Sequence, residues 1–231
     1  MPCLFMEEYP VFLDWGSITG FYNLLLQGAW LTLVITCLAF LLAIVVGIII
    51  AAGRTSTVAS VRWLATLYVE VIRNTPVLLQ IFIVFYGLSG LGLRLPPMVA
   101  GTLGLGLNVG AYLGEIFRAG VSAVPKGHRE AAIALALSPG QTLARVVAPV
   151  ALRAIFPALS NMFITTILGS SLLSVIAVPE LTGQTNEISA NTFLTIEVYS
   201  FSTVIYLVLT LGSSLGLLLL SRWLFPKRSR G

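Results

Sequence analysis

From Leu24 to Ala52 the sequence runs without one charged side chain, and the first charge after it is Arg54. About 20 apolar residues suffice for a helix to cross the hydrocarbon core of a bilayer. This stretch therefore confines the chain to folds built around membrane-spanning helices. Composition agrees: charged residues make up 10% of the chain and hydrophobic ones 57%, against roughly 25% charged in soluble domains. A chain so poor in charge cannot cover a soluble surface. The net charge of +4 does not indicate nucleic acid, because the basic residues fall between apolar stretches.

Five spans are expected, at 24–52, 64–91, 97–117, 155–178 and 199–224, giving an all-α integral membrane protein with one transmembrane domain over 24–224. Residues 1–20 hold Glu7, Glu8 and Asp14 and no Lys or Arg, unlike the basic start of a cleavable signal. Residues 1–23 are therefore read as a retained tail at the membrane surface, and 225–231 as a basic tail. Cys3 and Cys37 are far apart and form neither a metal motif nor a disulfide framework, and no metal site is expected.

Loop charges set the orientation. Arg54 and Arg62 lie between spans one and two, and Lys126, Arg129, Arg145 and Arg153 between three and four, with Arg118 at the boundary. Arg222, Lys227, Arg228 and Arg230 lie at the end of span five and beyond it. The other face carries Glu7, Glu8, Asp14, Glu180, Glu187 and Glu197, with Arg94 its one basic residue. The positive-inside rule then places the N-terminus outside and the C-terminus in the cytoplasm. Residues 121–153 become a cytoplasmic loop and 179–198 an outer one. Five spans without an inverted repeat do not make a complete secondary transporter. They read as half of a pathway, completed by a second copy or a related subunit.

The cytoplasmic loop has its own pattern. Residues 125–137 are alanine-rich and start at Pro125, a helix with proline at its first position. Ser138-Pro139-Gly140 stops it, and Ser138 with Gln141 makes a capping box for a second helix expected to end before Pro149. Ala131, Ala132 and Ala136 leave a smooth face that another surface can approach. From pattern alone, an amphipathic hairpin on the inner leaflet explains the loop as well as a docking device.

No Gly-x-x-x-x-Gly-Lys-Ser/Thr run occurs, so the chain is not expected to cradle nucleotide phosphates. Gly106, Gly110 and Gly114 recur every fourth residue and read as helix packing. Intramembrane polar residues are functional candidates. Glu70 with Arg73, and Glu115 with Arg118, are spaced to pair on one helix face. Gln80, Asn161, Thr165, Ser170 and Ser171 are candidates for a substrate pathway or, equally, for interhelical bonds. His128 reads as a solvated loop residue. A proton-coupled carrier would require a free carboxylate relay, and a membrane enzyme would require a nucleophile–base or metal cluster, neither of which the sequence offers.

Glu130-Ala131-Ala132, with Pro149 following at fixed distance, resembles the EAA loop of ABC importer permeases. Further stretches are similar to the polar amino-acid branch of that family, in the same order. They are Glu70-Val71-Ile72-Arg73-Asn74-Thr75-Pro76 running to Gln80, Ala111 to Gly120 with Val124-Pro125-Lys126-Gly127, and Ser171 to Ile176 with Glu180-Leu181-Thr182. The resemblance implies the type I ABC importer permease fold. Gly127, Glu130, Ala131, Ala132, Ala136 and Pro149 would belong to a coupling helix seated on a cytoplasmic ATPase dimer. That partner would bind ATP and Mg, and this chain would hold no cofactor and catalyse nothing. A second permease, identical or homologous, and an extracytoplasmic solute-binding protein would complete the system in a bacterial inner membrane. Amino acids are the implied cargo, with an opine, a sulfur amino acid or another small polar solute as the alternative. Three places depart from the family pattern: Ala136 stands where Gly is usual, Ala148 where Leu is common, and Leu168-Gly169 where many members carry Lys-Asp or Lys-Asn. The first two substitutions keep a small or apolar character.

Overall fold

The computed structural model describes residues 16–226. The expected surface tail, with Glu7, Glu8, Asp14 and Cys3, and the basic residues Lys227, Arg228 and Arg230 lie outside them, apart from the last tail residues. Those residues are already helical: a 3-10 turn over Ser17–Phe21 leads directly into the first helix.

Helix α1 (Tyr22–Arg54) is followed by α2 (Ala59–Arg73), α3 (Val77–Gly90) and α4 (Pro97–Ser122). A short α5 (Lys126–Ala134) precedes α6 (Pro139–Ile176), and α7 (Leu181–Thr192) and α8 (Thr195–Leu224) complete the described residues. No strand occurs among them. Three helices, α1, α6 and α8, are long and apolar enough to cross a membrane, and α2 with α3 makes a fourth when the bent pair counts as one span. Helix α4, expected as a span, is not among these. Its glycines, Asn108, Glu115 and Arg118 dilute its apolarity, and much of it is enclosed by other helices rather than lipid.

α1 and α4 lie side by side and run the same way. A Cβ at Gly106 would come within 3.0 Å of the Ala39 carbonyl oxygen, one at Gly110 within 2.7 Å of Val46, and one at Gly114 within 2.6 Å of Ile50. Gly47 returns the contact, 2.8 Å from the Leu113 Cβ. The every-fourth glycines thus bring two backbones close enough for dispersion to hold them, as apolar burial cannot in lipid. Ile35, Ala39, Ala43, Val109 and Leu113 form the core beside this contact.

The span expected at 64–91 is instead two helices meeting at 109°. Proline at 76 lacks an amide hydrogen and pushes Thr75 out of the helical region. The carbonyls this releases have partners within the motif. Thr75 Oγ1 donates to the Val71 carbonyl at 2.8 Å, and Gln80 Nε2 donates to the Ile72 carbonyl at 2.8 Å. Replacing Gln80 with Leu is expected to cost about 1–3 kcal/mol by leaving the half-buried Ile72 carbonyl and the Asn108 amide unpaired. Thermal unfolding of the detergent-solubilised protein measures it.

The second loop helix does not end before Pro149. Ser138 and Gln141 form the capping box, but the helix then runs on through Pro149 to Ile176. Leu143–Val147 winds as a π-turn, in which the Ala148 amide reaches back to the Leu143 carbonyl. The wider turn accommodates a proline ring that an α-helical register would reject. The expected fourth span, 155–178, is the distal part of this continuous helix.

Candidate functional site

The loop between α4 and α6 is rooted by a small core of Val124, Val147 and Ala151. Arg129 clips α5 down by donating to the Val121 carbonyl at 2.9 Å. Pro125 is the N-cap residue of α5, with ψ 139°, one place earlier than expected. Gly127, His128, Glu130 and Ala131 are exposed. Ala132 is buried against the loop itself, so the three alanines do not share one open face. The outward tip is instead apolar: Ile133 is 72% exposed and Leu135 74%. These two escaped the sequence reading, although large aliphatic residues in a charged loop are a legible signal.

Ala136 turns the chain back at the end of α5. Its φ is +52°, and the Leu137 and Ala136 amides donate to the Ala132 and Ile133 carbonyls at 3.1 and 2.9 Å. This is a Schellman closure, which favours glycine at the left-handed position. Ala136 is therefore not a neutral substitution for the glycine usual there; its Cβ strains the turn. Ala136→Gly is expected to stabilise the loop by about 1 kcal/mol, read as slower amide hydrogen exchange over 126–137.

Of the two expected intramembrane pairs, Glu115 with Arg118 forms and Glu70 with Arg73 does not. Glu70 does not meet Arg73. Its carboxylate accepts from Asn74 Nδ2 at 3.2 Å, while the Arg73 guanidinium stacks 5.1 Å over the Tyr112 ring. Helix α2 carries Arg73 into the break, and Tyr112 on α4 is the nearer partner. Glu115 binds Arg118 at 3.1 Å and also Arg54, so one carboxylate ties the ends of α1 and α4 together.

The five pathway candidates do not share one pocket. Gln80 is committed to the helix break, its carbonyl oxygen accepting from Asn108 at 3.0 Å. Thr165 is exposed and donates to the Asn161 carbonyl at 3.0 Å, and Ser170 is buried, donating to the Ile167 carbonyl at 2.8 Å. Asn161 lines a large open groove between α6 and α8. Ser171 lines a second hollow of about 380 Å³ with Thr182, Thr185, Tyr199, Ser202, Thr203 and Tyr206. Its α8 members recur at one-turn spacing in the sequence, a signal that was there to be read.

Beside this hollow sits Glu180, fully buried and capping α7. Its carboxylate accepts from the Thr182 and Gly183 amides at 2.9 Å each, from Tyr206 at 3.0 Å and from Thr32 at 3.4 Å. Burial pushes this carboxyl above the ordinary range, and the hydrogen bonds pull it part of the way back.

Residues 43–230 match the family described as "Binding-protein-dependent transport system inner membrane component". The chain belongs to that family. Among members of this permease family, it is 38% identical over 200 residues to the "Glutamine transport system permease protein GlnP" of Escherichia coli (strain K12), covering 86% of this chain and 91% of that one. It is 40% identical over 171 residues to the "L-cystine transport system permease protein TcyB" of Bacillus subtilis (strain 168), covering 74% and 73%. Its fold superposes on the crystal structure of an amino acid ABC transporter with histidines with a TM-score of 0.85 at 36% identity, covering 91% and 98% of the two chains. As a binding-protein-dependent permease it has the type I ABC permease fold.

Proposed function

We propose that this chain is the membrane-spanning permease subunit of an ATP-driven importer of polar amino acids. Relatives named for glutamine and cystine transport support the cargo class. In this reading α1, the bent pair α2–α3, α4, α6 and α8 make five spans, with the N-terminus outside and the C-terminus in the cytoplasm of a bacterial inner membrane. Two such permeases, identical or homologous, form the pathway. A solute-binding protein delivers cargo to the outer face, and an ATPase dimer below binds ATP and Mg.

The observation that carries the reading is the rooted loop with its exposed apolar tip. A free surface in water has no reason to hold Ile133 and Leu135 outward. A partner's groove gives them one, with Glu130, Ala131 and Gly127 around them. ATP-driven closure of the ATPases would draw two such loops together and rock the permease halves, so work enters as motion and the permease performs no covalent chemistry. A carrier driven by protons alone is disfavoured, because Glu70, Glu115 and Glu180 are each engaged in hydrogen bonds or ion pairs.

The test is reconstitution with the cognate ATPase and binding protein, followed by ATPase rates across a panel of amino acids including glutamine and cystine. Stimulation by at least one is expected; an assembled complex that none stimulates would overturn the cargo class. Glu130→Lys is expected to lower uptake at least tenfold, an order-of-magnitude figure corresponding to about 1.4 kcal/mol of lost docking. Normal uptake in that variant would remove the loop assignment.

A further inference from the structure

The inner halves of α6 and α8 enclose an open groove of about 1110 Å³. We propose that it holds an anionic phospholipid of the cytoplasmic leaflet, its phosphate on Arg153 and Arg222 and its acyl chains along the walls. The leaflet rests on the orientation proposed above.

Charge is the first argument. Arg153 and Arg222 both line the groove, and no carboxylate does. Among the described residues every ion pair involves Glu115, so neither arginine has an acidic partner. Basic pockets between helices on the cytoplasmic side suit anionic headgroups, at about 1 kcal/mol per Lys or Arg.

The walls supply the second argument. Phe156 and Phe225 meet edge to face at 5.6 Å near the arginines, and Leu211 and Leu218 continue the apolar surface. Three of the hydroxyls in the groove, those of Ser160, Thr210 and Ser221, are turned back on their own helices. Ser160 donates to the Phe156 carbonyl at 2.9 Å and Thr210 to the Tyr206 carbonyl at 2.9 Å. With their hydrogens used locally, they leave a surface that tolerates hydrocarbon. Charged end and apolar body are therefore arranged as a phospholipid is.

Size and symmetry separate this occupant from two others. A single amino acid would leave most of the groove's roughly 1110 Å³ empty. A second copy meeting this groove across a two-fold axis would bring the same basic end against it, and like charges oppose that contact.

The test uses the detergent-purified complex of this chain with its ATPase, incubated with phosphatidylglycerol or phosphatidylethanolamine and read by native mass spectrometry. Wild type is expected to retain phosphatidylglycerol over phosphatidylethanolamine by roughly ten- to thirtyfold, as two basic contacts imply. Arg153→Gln with Arg222→Gln should erase that preference, and Arg153→Lys with Arg222→Lys should keep most of it. Arg62→Gln with Arg94→Gln removes equal charge elsewhere and should leave retention unchanged. Equal retention of the two lipids by wild type, no retention of either, or an unchanged preference in the double glutamine variant overturns the site. A cysteine at Pro226 in a background lacking Cys3 and Cys37 reports orientation separately. Labelling from the outer side would overturn the leaflet assignment while the retention data still decide whether the lipid is held.

Discussion

Aspartate at both Ile133 and Leu135 is expected to abolish ATP-driven uptake while the permease accumulates in the membrane at its normal level. Both side chains project from the loop tip, so their replacement removes nothing from the fold; the loop's own core is Val124, Val147 and Ala151. An apolar anchor buried in a partner's groove contributes about 2 kcal/mol or more. Losing two, and introducing two charges that must be desolvated, weakens docking by roughly a thousandfold or more. Co-purification of the ATPase with the variant measures this directly, and substrate-stimulated ATPase activity in proteoliposomes measures its consequence. A variant that still captures its ATPase at wild-type yield would show that the tip is not the contact.

The second large effect is structural. Glu180→Ala is expected to destabilise the protein by about 3–4 kcal/mol, because it strips four buried or half-buried donors of their acceptor at about 1 kcal/mol each. Thr32 is on α1, Thr182 and Gly183 open α7, and Tyr206 is on α8, so one carboxylate joins three helices. Glu180→Gln keeps one acceptor oxygen and should lose less. The pH dependence has a definite sign. Burial raises the folded-state pKa above the unfolded value, so Glu180 contributes fully below the ordinary carboxylate pKa and loses part of that contribution as pH rises through the folded value. Thermal unfolding across that range should show the advantage of wild type over Glu180→Gln shrinking as pH rises. An advantage that grows with pH would reverse the assigned shift.

Much of the architecture was legible because lipid enforces simple rules. The charge-free run to Ala52, the every-fourth glycines and the Ser138–Gln141 capping box each have a local physical cause, and each appears in place. Errors fell where a local rule met a tertiary answer. Hydropathy drew one span through Asn74-Thr75-Pro76, since a running average cannot see that Gln80 will satisfy the broken carbonyls. Proline at 149 reads as a helix stop, yet a π-turn absorbs it. Spacing paired Glu70 with Arg73, but Tyr112 from another helix lies nearer in space. The buried face of the loop could not be chosen among alanines by type, which is why Ile133 and Leu135 were overlooked. Glu180 read as one more acidic residue of an outer loop; only the fold shows the donors converging on it.

The uninterrupted winding from Pro139 to Ile176 also has a mechanical meaning. At 1.5 Å per residue such a rod is roughly 55 Å long, with one arm in the coupling loop and the other beside the hydroxyl-lined hollow. The winding is continuous between the two arms, although it contains the π-turn and Pro157. Ile155, packed against Gly120, lies midway between Ser138 and Ser171, so about that pivot a tilt imposed at Ser138 would swing Ser171 through an arc of similar size in the opposite sense. The π-turn at 143–147 is the compliant section of this lever. It sets how much of the stroke is delivered and how much is lost to bending.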